Sequence, residues 1–437
     1  MVIKVIGSGL DALLFAFYLT KSKKPYEWYS GDSRLGGFFR GGTDCLGRPI
    51  DIGMVLLEPN DFGVAQKNIG EFNGEFGQNA RPFIKAAYEW LDGLGEPTRK
   101  VGVFAEDTEG VQHFDYFISD RMNAFDNSRS DLILELEERI DWLKRNPEWH
   151  PKEKLNTDSI LSTKDLVTVY ESLYGQNFYN TYFKGYLENL LGDFAKKLPA
   201  SHHRKAWMPL FWPETILDSV NQKSTESLYE PAFKRFSSKS IAQWVEAMLG
   251  EIENDRTAVK NTGSKFRILD GSDKTDHQVY AFIGDYEFDQ VEKVSKVALS
   301  VQTARIRIVH FCCQSKLSNV VFLLDDTSGG FRYSTTFFED IEEGSITIEF
   351  GESTASLSND KILVLATEFC RTRGIPLICA GKIHEGKLPI ALPPEKKANR
   401  ESSLFGYKQL LHSKNTMSFN DNLIRAYWAV NHARKEW

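Results

Sequence analysis

The chain has 437 residues, with 53 Lys and Arg against 60 Asp and Glu, and a formal charge of −7. That balance, without any basic stripe, argues against a nucleic-acid partner. With 41% apolar and 26% charged residues the composition is that of a globular protein, and at about 150 residues per domain the length implies roughly two or three domains.

No apolar run reaches the ~18 residues of a membrane span. The apolar start resembles a signal peptide only superficially, because Asp11 interrupts it and no small-residue cleavage site follows. Five cysteines, Cys45, Cys312, Cys313, Cys370 and Cys379, are odd in number and contain no CxxC pair. Neither a disulfide framework nor a metal centre is therefore expected, and a cytoplasmic setting fits.

"VIKVIG" (2–7) reads as a buried strand and "LDALLFAFYLTKS" (10–22) as a helix that is apolar nearly all round. "YEWYS" (26–30) is the next strand. Helices are expected at 79–95, at 130–146 with an amphipathic pattern, and at 163–190 as two helices broken near Gly175. The stretch 198–214 is irregular and rich in Pro and Trp, and 238–252 is helical. Strand-like runs follow: "FRILDG", "VYAFIG", "ARIRIVHFCC", "NVVFLL" and "SITIEF". Two helices close the reading, at 360–374 and 419–435. No internal repeat or low-complexity tract is present.

Strand, glycine turn, helix and strand within about 30 residues form the βαβ context that gives a GxGxxG-type match meaning. In such a Rossmann turn the first glycine allows the bend, the second lets backbone approach a pyrophosphate, and the third allows helix and strand to pack closely. Gly7 and Gly9 fill the first two roles, and Ala12 stands in the third. The helix beginning near Leu10 aims its free N–H groups and positive end at the same place, with Ser8 between the glycines. A second cluster follows downstream: Gly36–Gly37, Arg40, and "GRPIDIG" ending at Gly53.

In order and spacing these motifs resemble the FAD-binding superfamily of UDP-galactopyranose mutase, protoporphyrinogen oxidase and amine oxidase. Three further segments resemble it as well: "YFKGYLENLLGDFAKKLPA" (182–200), "YEPAFKRFSSKSIAQWVEAML" (229–249) and "SFNDNLIRAYWAV" (418–430). The pattern is nearest to the mutase-like members. The resemblance implies an α/β fold: a Rossmann-type FAD-binding domain with an inserted helical part and a β-rich substrate domain. The domains implied are 1–75 plus 229–275 plus 385–437 for FAD, 76–228 as a mainly helical cap, and 276–384 as the β-rich domain.

The implied cofactor is FAD, held by Gly7, Ser8, Gly9, Leu10, Ser30, Asp32, Gly36, Gly37, Arg40, Gly53, Val259, Asn420, Asp421 and Asn422. Several family positions differ here. Ser30 stands where an acidic residue holds the ribose, with Asp32 as a substitute two residues on. Leu191 precedes Gly192 where the mutases have Trp, and no His lies between Ile50 and Asn60. Ser237–Ser238 replace paired glycines, and the C-terminal Gly–Arg turn has no counterpart.

For the substrate, Tyr179 and Tyr186 recur at helical spacing, which reads as core packing or as a stacking platform. Beside them lie Arg204, Trp207, Phe211 and Trp212; Arg332 and Tyr333 complete the candidate set, Arg being suited to bidentate phosphate binding. No catalytic residue is assigned.

Three functions are implied. The first is isomerisation or redox chemistry on a nucleotide-activated or modified sugar, with NAD(P)H as a reductant. The second is an amine-oxidase- or protoporphyrinogen-oxidase-like reaction on a small amine or alicyclic substrate. The third is a degenerate, non-catalytic binding protein.

Overall fold

A computed structural model describes residues 2–30, 35–53, 55–57, 87–94, 98–106, 112–114, 129–146, 149, 164–200, 206, 213–220, 233–255, 258–262, 279–284, 302–314, 319–323, 329–336, 343–390, 410–413 and 419–435. In chain order the first half begins with β1 (Ile3–Ile6), α1 (Leu10–Lys21), β2 (Tyr26–Ser30), β3 (Gly42–Thr43) and β4 (Pro49–Ile50). It continues through β5 (Thr98–Lys100), β6 (Gly102–Glu106), β7 (Gln112–Phe114) and α2 (Ser130–Arg145). Helices α3 (Leu166–Tyr174), α4 (Gln176–Tyr182), α5 (Lys184–Leu191) and α6 (Pro213–Val220) come next.

The second half contains β8 (Lys234–Phe236), α7 (Ile241–Glu253), β9 (Ala258–Thr262) and β10 (Val279–Gly284). Then follow β11 (Gln302–Cys313), β12 (Asn319–Leu323), β13 (Gly330–Thr336), β14 (Gly344–Phe350) and α8 (Asn359–Thr372). The last elements are β15 (Lys382–Ile390), β16 (Leu410–Ser413) and α9 (Phe419–Lys435).

Two sheets organise these elements. One is five-stranded and wholly parallel, in the order β16-β10-β1-β2-β9. A parallel sheet is covered on both faces, which is why β1 reads as a continuous apolar run. Helix α1 is buried at nearly every position, with Leu13, Leu14, Phe15 and Ala16 fully excluded from solvent. Burying a side chain such as Phe15 contributes about 1.5–3 kcal/mol, and its ring packs on Tyr280 and Phe282 of β10. Helices α7 and α9 close the other sides of α1 in the same core.

Helix α7 starts where Ser240 accepts from the Gln243 backbone while Gln243 Oε1 accepts from the Ser240 N–H. This reciprocal capping box satisfies donors that a helix start otherwise leaves open.

The second sheet is seven-stranded, in the order β15-β11-β14-β13-β12-β6-β7, and mostly antiparallel, with β6 and β12 running parallel. Its strands alternate. Val309, Phe311, Tyr333, Ile346, Ile348 and Phe350 face α8, where Ile362, Ala366, Phe369 and Cys370 complete a core. A third core joins α2, α3, α4 and α5 around stacked rings of Tyr170, Tyr174, Tyr179 and Phe183.

Several expectations change. The segment 163–190 holds three helices, with breaks at Gly175 and Phe183. "VYAFIG", expected in the β-rich part, is a strand of the parallel sheet, paired with β1 and β16. Residues 385–390, expected with the FAD-binding part, pair with β11 in the antiparallel sheet. Strands β6 and β7, inside the region expected to be mainly helical, also extend that sheet. The odd cysteine count conceals a pair: Cys45 and Cys379, 334 residues apart, form a disulfide. A bridge of that span leaves no local spacing signal, so counting cysteines misses it.

Candidate cofactor and substrate site

The glycine turn is built by close approach. Gly7 has φ +136°, and a Cβ there would sit 2.6 Å from the Phe282 carbonyl oxygen and 3.3 Å from the Ala12 Cβ. Only glycine suits that backbone conformation and that space. The Gly7 N–H donates to the Tyr29 carbonyl at 3.0 Å, and the indole N–H of Trp28 donates to the Gly7 carbonyl at 2.8 Å. The turn is thus locked onto β2 from both sides.

The second glycine cluster closes over the first. The Gly36 N–H donates to the Ser8 carbonyl at 2.8 Å, and a Cβ on Gly37 would lie 3.5 Å from Gly9 Cα. Gly36 and Gly37 both have positive φ, at +92° and +57°. Gly7, Gly9, Gly36 and Gly37 therefore form a side-chain-free cradle at the N-terminus of α1, where backbone N–H groups and the helix dipole favour an anion. Leu10 is buried at the head of α1, and Ser30 is buried at the end of β2. Asn422, buried in the first turn of α9, comes within 3.8 Å of where a Gly9 Cβ would stand. Both ends of the chain thus meet at this turn.

Sequence reasoning passed over one ion pair here. Asp11, in the first turn of α1, pairs with Arg425 of α9; their side chains are 2% and 10% exposed. Burial pushes the Asp11 carboxyl above the usual range, and the Arg425 charge opposes that rise. Asp11 also accepts from the Ala12 N–H at 2.8 Å. The guanidinium Nε and Nη1 of Arg425 have no hydrogen-bond partner among the described residues. Buried donors of that kind call for acceptors, and the bare backbone at the head of α1 is suited to the oxygens of a diphosphate.

Arg40, half-buried, is held by Glu246 of α7 at 3.0 Å. Asp32 lies outside the described residues, as do Arg204, Trp207, Phe211 and Trp212, and the side chains of Val259, Asn420 and Asp421.

The segment that follows Arg40 crosses to the antiparallel sheet. A Cβ on Gly42 would meet the His384 ring at 2.5 Å, and one on Gly53 (φ +78°) would lie 3.2 Å from Glu349 Oε1. Asp51 caps α7 by accepting from the Ile241 and Ala242 N–H groups at 3.2 and 2.8 Å. Burial raises its pKa. Arg235, beside it, donates to the Thr335 carbonyl at 3.0 Å, and burial lowers its pKa to about 10.

The sheet face met by this segment is polar and in register. One row runs His384, Ile308, Glu349, Arg332, and the next runs Lys382, His310, Thr347, Ser334. Arg332 and Glu349 form an ion pair at 2.5 Å, with side chains 12% and 3% exposed. Tyr186 of α5 abuts this pair; burial raises its hydroxyl pKa, and its ring meets Phe331 edge-on. His310 shares a hydrogen bond with Thr347 Oγ1 at 3.0 Å, and burial lowers its pKa to about 4, so it is neutral.

Arg332 and Tyr186 are thus brought together. Tyr333 is not: strand alternation turns it to the opposite face, against Phe369. Tyr179 lies in the helical core, stacked with Tyr170, which is the packing alternative for that aromatic stripe. The polar ladder itself was missed, although "SITIEF" alternates polar and apolar residues, as a strand with two different faces must.

No protein-family model matches the chain, and no curated protein matches it in sequence. Solved structures do. A reduced UDP-galactopyranose mutase superposes with a TM-score of 0.66 at 11% identity, covering 100% of this chain and 94% of that one. The chain shares that protein's fold. Cyclohexylamine oxidase from Brevibacterium oxydans IH-35A follows at TM-score 0.60 and 14% identity, covering 100% and 98%. Putrescine oxidase with bound putrescine gives 0.58 at 11%, covering both chains fully. Among the described residues no helix is long and apolar enough to cross a membrane.

Proposed function

We propose that the chain is an FAD-dependent enzyme that acts on a nucleotide-activated or modified sugar, by isomerisation or redox chemistry. The observation that carries the reading is the glycine-only cradle at the head of α1, within a fold shared over its full length with a UDP-galactopyranose mutase. In this reading the parallel sheet is the core of a Rossmann-type dinucleotide-binding domain assembled from separate stretches of the chain, now including Val279–Gly284. The seven-stranded sheet, with the helical insertion, forms the substrate side.

FAD supplies hydride or nucleophilic chemistry when bound; the chain supplies binding, orientation and electrostatics. Gly7, Ser8, Gly9 and Leu10 offer backbone to the pyrophosphate, and Gly36, Gly37 and Gly53 admit the rest of the cofactor without side-chain obstruction. Ser30 would hold the ribose, and Asn422 would approach the cofactor from α9. Arg332, held by Glu349, and neutral His310 present paired donors and acceptors without net charge. Such a surface matches a hydroxyl-rich ligand better than an apolar amine. The burial of Tyr179 in a core removes one member of the aromatic cage that an amine oxidase reading requires.

The test begins with an absorbance spectrum of the purified protein, before and after incubation with FAD. Flavin bands are expected. A protein that remains colourless in both overturns the cofactor assignment. NAD(P)H is proposed as the reductant. Anaerobic mixing of the flavoprotein with candidate amines, and separately with NAD(P)H followed by nucleotide sugars, separates the reaction classes. Flavin reduction by an amine refutes the sugar assignment.

A further inference from the structure

Beyond the cofactor cradle, three cysteines from distant parts of the chain converge at one edge of the antiparallel sheet. Cys45 lies in the β3–β4 hairpin, Cys312 near the end of β11, and Cys379 just after a short stretch that continues this edge. The stretch is fixed by backbone pairing. The Ile378 N–H donates to the Cys312 carbonyl at 2.9 Å and the Gln314 N–H to the Pro376 carbonyl at 3.1 Å, with an antiparallel bridge between Cys313 and Leu377. Cys379 therefore arrives beside Cys312, and bonds to Cys45.

The buried thiol of Cys312 is 3.4 Å from the Cys45 sulfur, and all three sulfurs lie within 4.8 Å of one another. Polar groups surround it. Its Sγ lies 3.5 Å from Asp44 Oδ2, to which it donates, and 3.6 Å from Arg48 Nη2, from which it accepts. Asp44 is held by the Arg48 guanidinium Nε at 2.6 Å and by the Leu46 and Arg48 N–H groups. Glu343 anchors the other side of Arg48 at 3.1 Å. Burial and the neighbouring Asp44 charge raise the Cys312 thiol pKa, and the Arg48 contact opposes that rise.

We propose that Cys45, Cys312 and Cys379 form a thiol–disulfide exchange site, in which Cys312 attacks Cys45 and displaces Cys379. The Cys312–Cys45 bond forms as the Cys45–Cys379 bond breaks, and the electron pair leaves on the Cys379 sulfur. The proton of Cys312 passes by way of Asp44 Oδ2 and ends on Cys379. The step is redox-neutral and needs no co-reactant. Exchange runs through a thiolate and a near-linear array of sulfurs; Cys45, the exposed member, has room to turn into line. The product carries its free thiol on half-buried Cys379, where a low-molecular-weight thiol or disulfide reaches it more readily than it reaches Cys312. Three thiolates so close would also suit a soft metal ion, but the Arg48 guanidinium beside Cys312 opposes a cation.

The test uses the full chain purified without reductant, held at about pH 8.5, near the ordinary thiol pKa, then quenched in acid, alkylated and mapped by mass spectrometry. Both the 45–379 and the 45–312 linkages are expected, with alkylated Cys379 rising in step with the second. Cys312→Ser is expected to retain only 45–379. Cys379→Ser is expected to form 45–312 on treatment with oxidised glutathione, a readout that stands even where the first variant folds poorly. Exclusive 45–379 linkage in the wild-type chain, or failure of Cys379→Ser to form 45–312, overturns the proposal. So does one zinc ion per chain, by elemental analysis, with all three thiols reduced.

Discussion

Replacing Arg425 with Met leaves Asp11 buried without its counter-charge. Removing one partner of a buried pair costs about 3–5 kcal/mol, a large share of the roughly 5–15 kcal/mol that holds a domain folded. The pair qualifies as buried, since its side chains are 10% and 2% exposed. Asp11 can escape part of this cost by taking up a proton. Burial already holds its carboxyl above the ordinary range, and the Arg425 charge is what restrains it, so the variant raises it further.

A carboxyl whose folded pKa is raised binds its proton more tightly in the folded state. Its stabilising contribution is present below the unfolded pKa and is lost as pH rises through the folded value. The stability gap between wild type and Arg425→Met should therefore be smallest in acid, below the unfolded carboxyl pKa, and grow as pH rises through the variant's folded value. Urea unfolding at several pH values measures the gap. Asp11→Asn in the Arg425→Met background should recover most of the loss at the higher pH. A gap that stays flat across pH, or a double variant less stable than the single one, would refute the reasoning.

Gly37→Ala should leave the fold in place at a cost of about 1–2 kcal/mol for its left-handed backbone, while the added methyl, in ordinary contact with Gly9 Cα at 3.5 Å, puts a side chain over the bare backbone of the turn. FAD retention, read by absorbance per chain, should fall about tenfold, which is about 1.4 kcal/mol; full retention contradicts the cradle. His310, with its pKa lowered to about 4 from an ordinary 6.5, stabilises the fold above 6.5, and that contribution is lost as pH falls through 4. The loss amounts to about 3 kcal/mol, and denaturation of His310→Gln across that window should show a flatter profile. Ser240→Ala removes the capping box of α7 and should cost about 1 kcal/mol in urea unfolding.

Local order was legible where each element carries its own signal. Helix α9 spans the very residues that its periodicity marks, 419–435, and the β1–turn–α1–β2 unit follows from two glycines between apolar runs. Long-range pairing left no comparable mark. Nothing near "VYAFIG" announces that it joins β1 rather than the strands that follow it, because parallel strands are joined by crossovers, not by turns. Tyr333 stands beside Arg332 in the candidate set. Adjacency in a strand means opposite faces, and only Arg332 reaches the polar ladder. The partner of Asp11 was hidden for a different reason: Arg425 sits in an amphipathic helix, where an arginine ordinarily reads as solvent-facing.

Helices α1 and α9 also carry a consequence for synthesis. Arg434 of α9 donates to the Tyr18 hydroxyl of α1 across 416 residues of chain. Closing a loop of that length costs about 5 kcal/mol by the logarithmic scaling. At about 5–20 residues per second, some 20–80 s of translation separate the two helices. Throughout that interval an almost wholly apolar α1 has no cover on one side. The glycine cradle at the head of α1 is therefore completed only after α9 has docked.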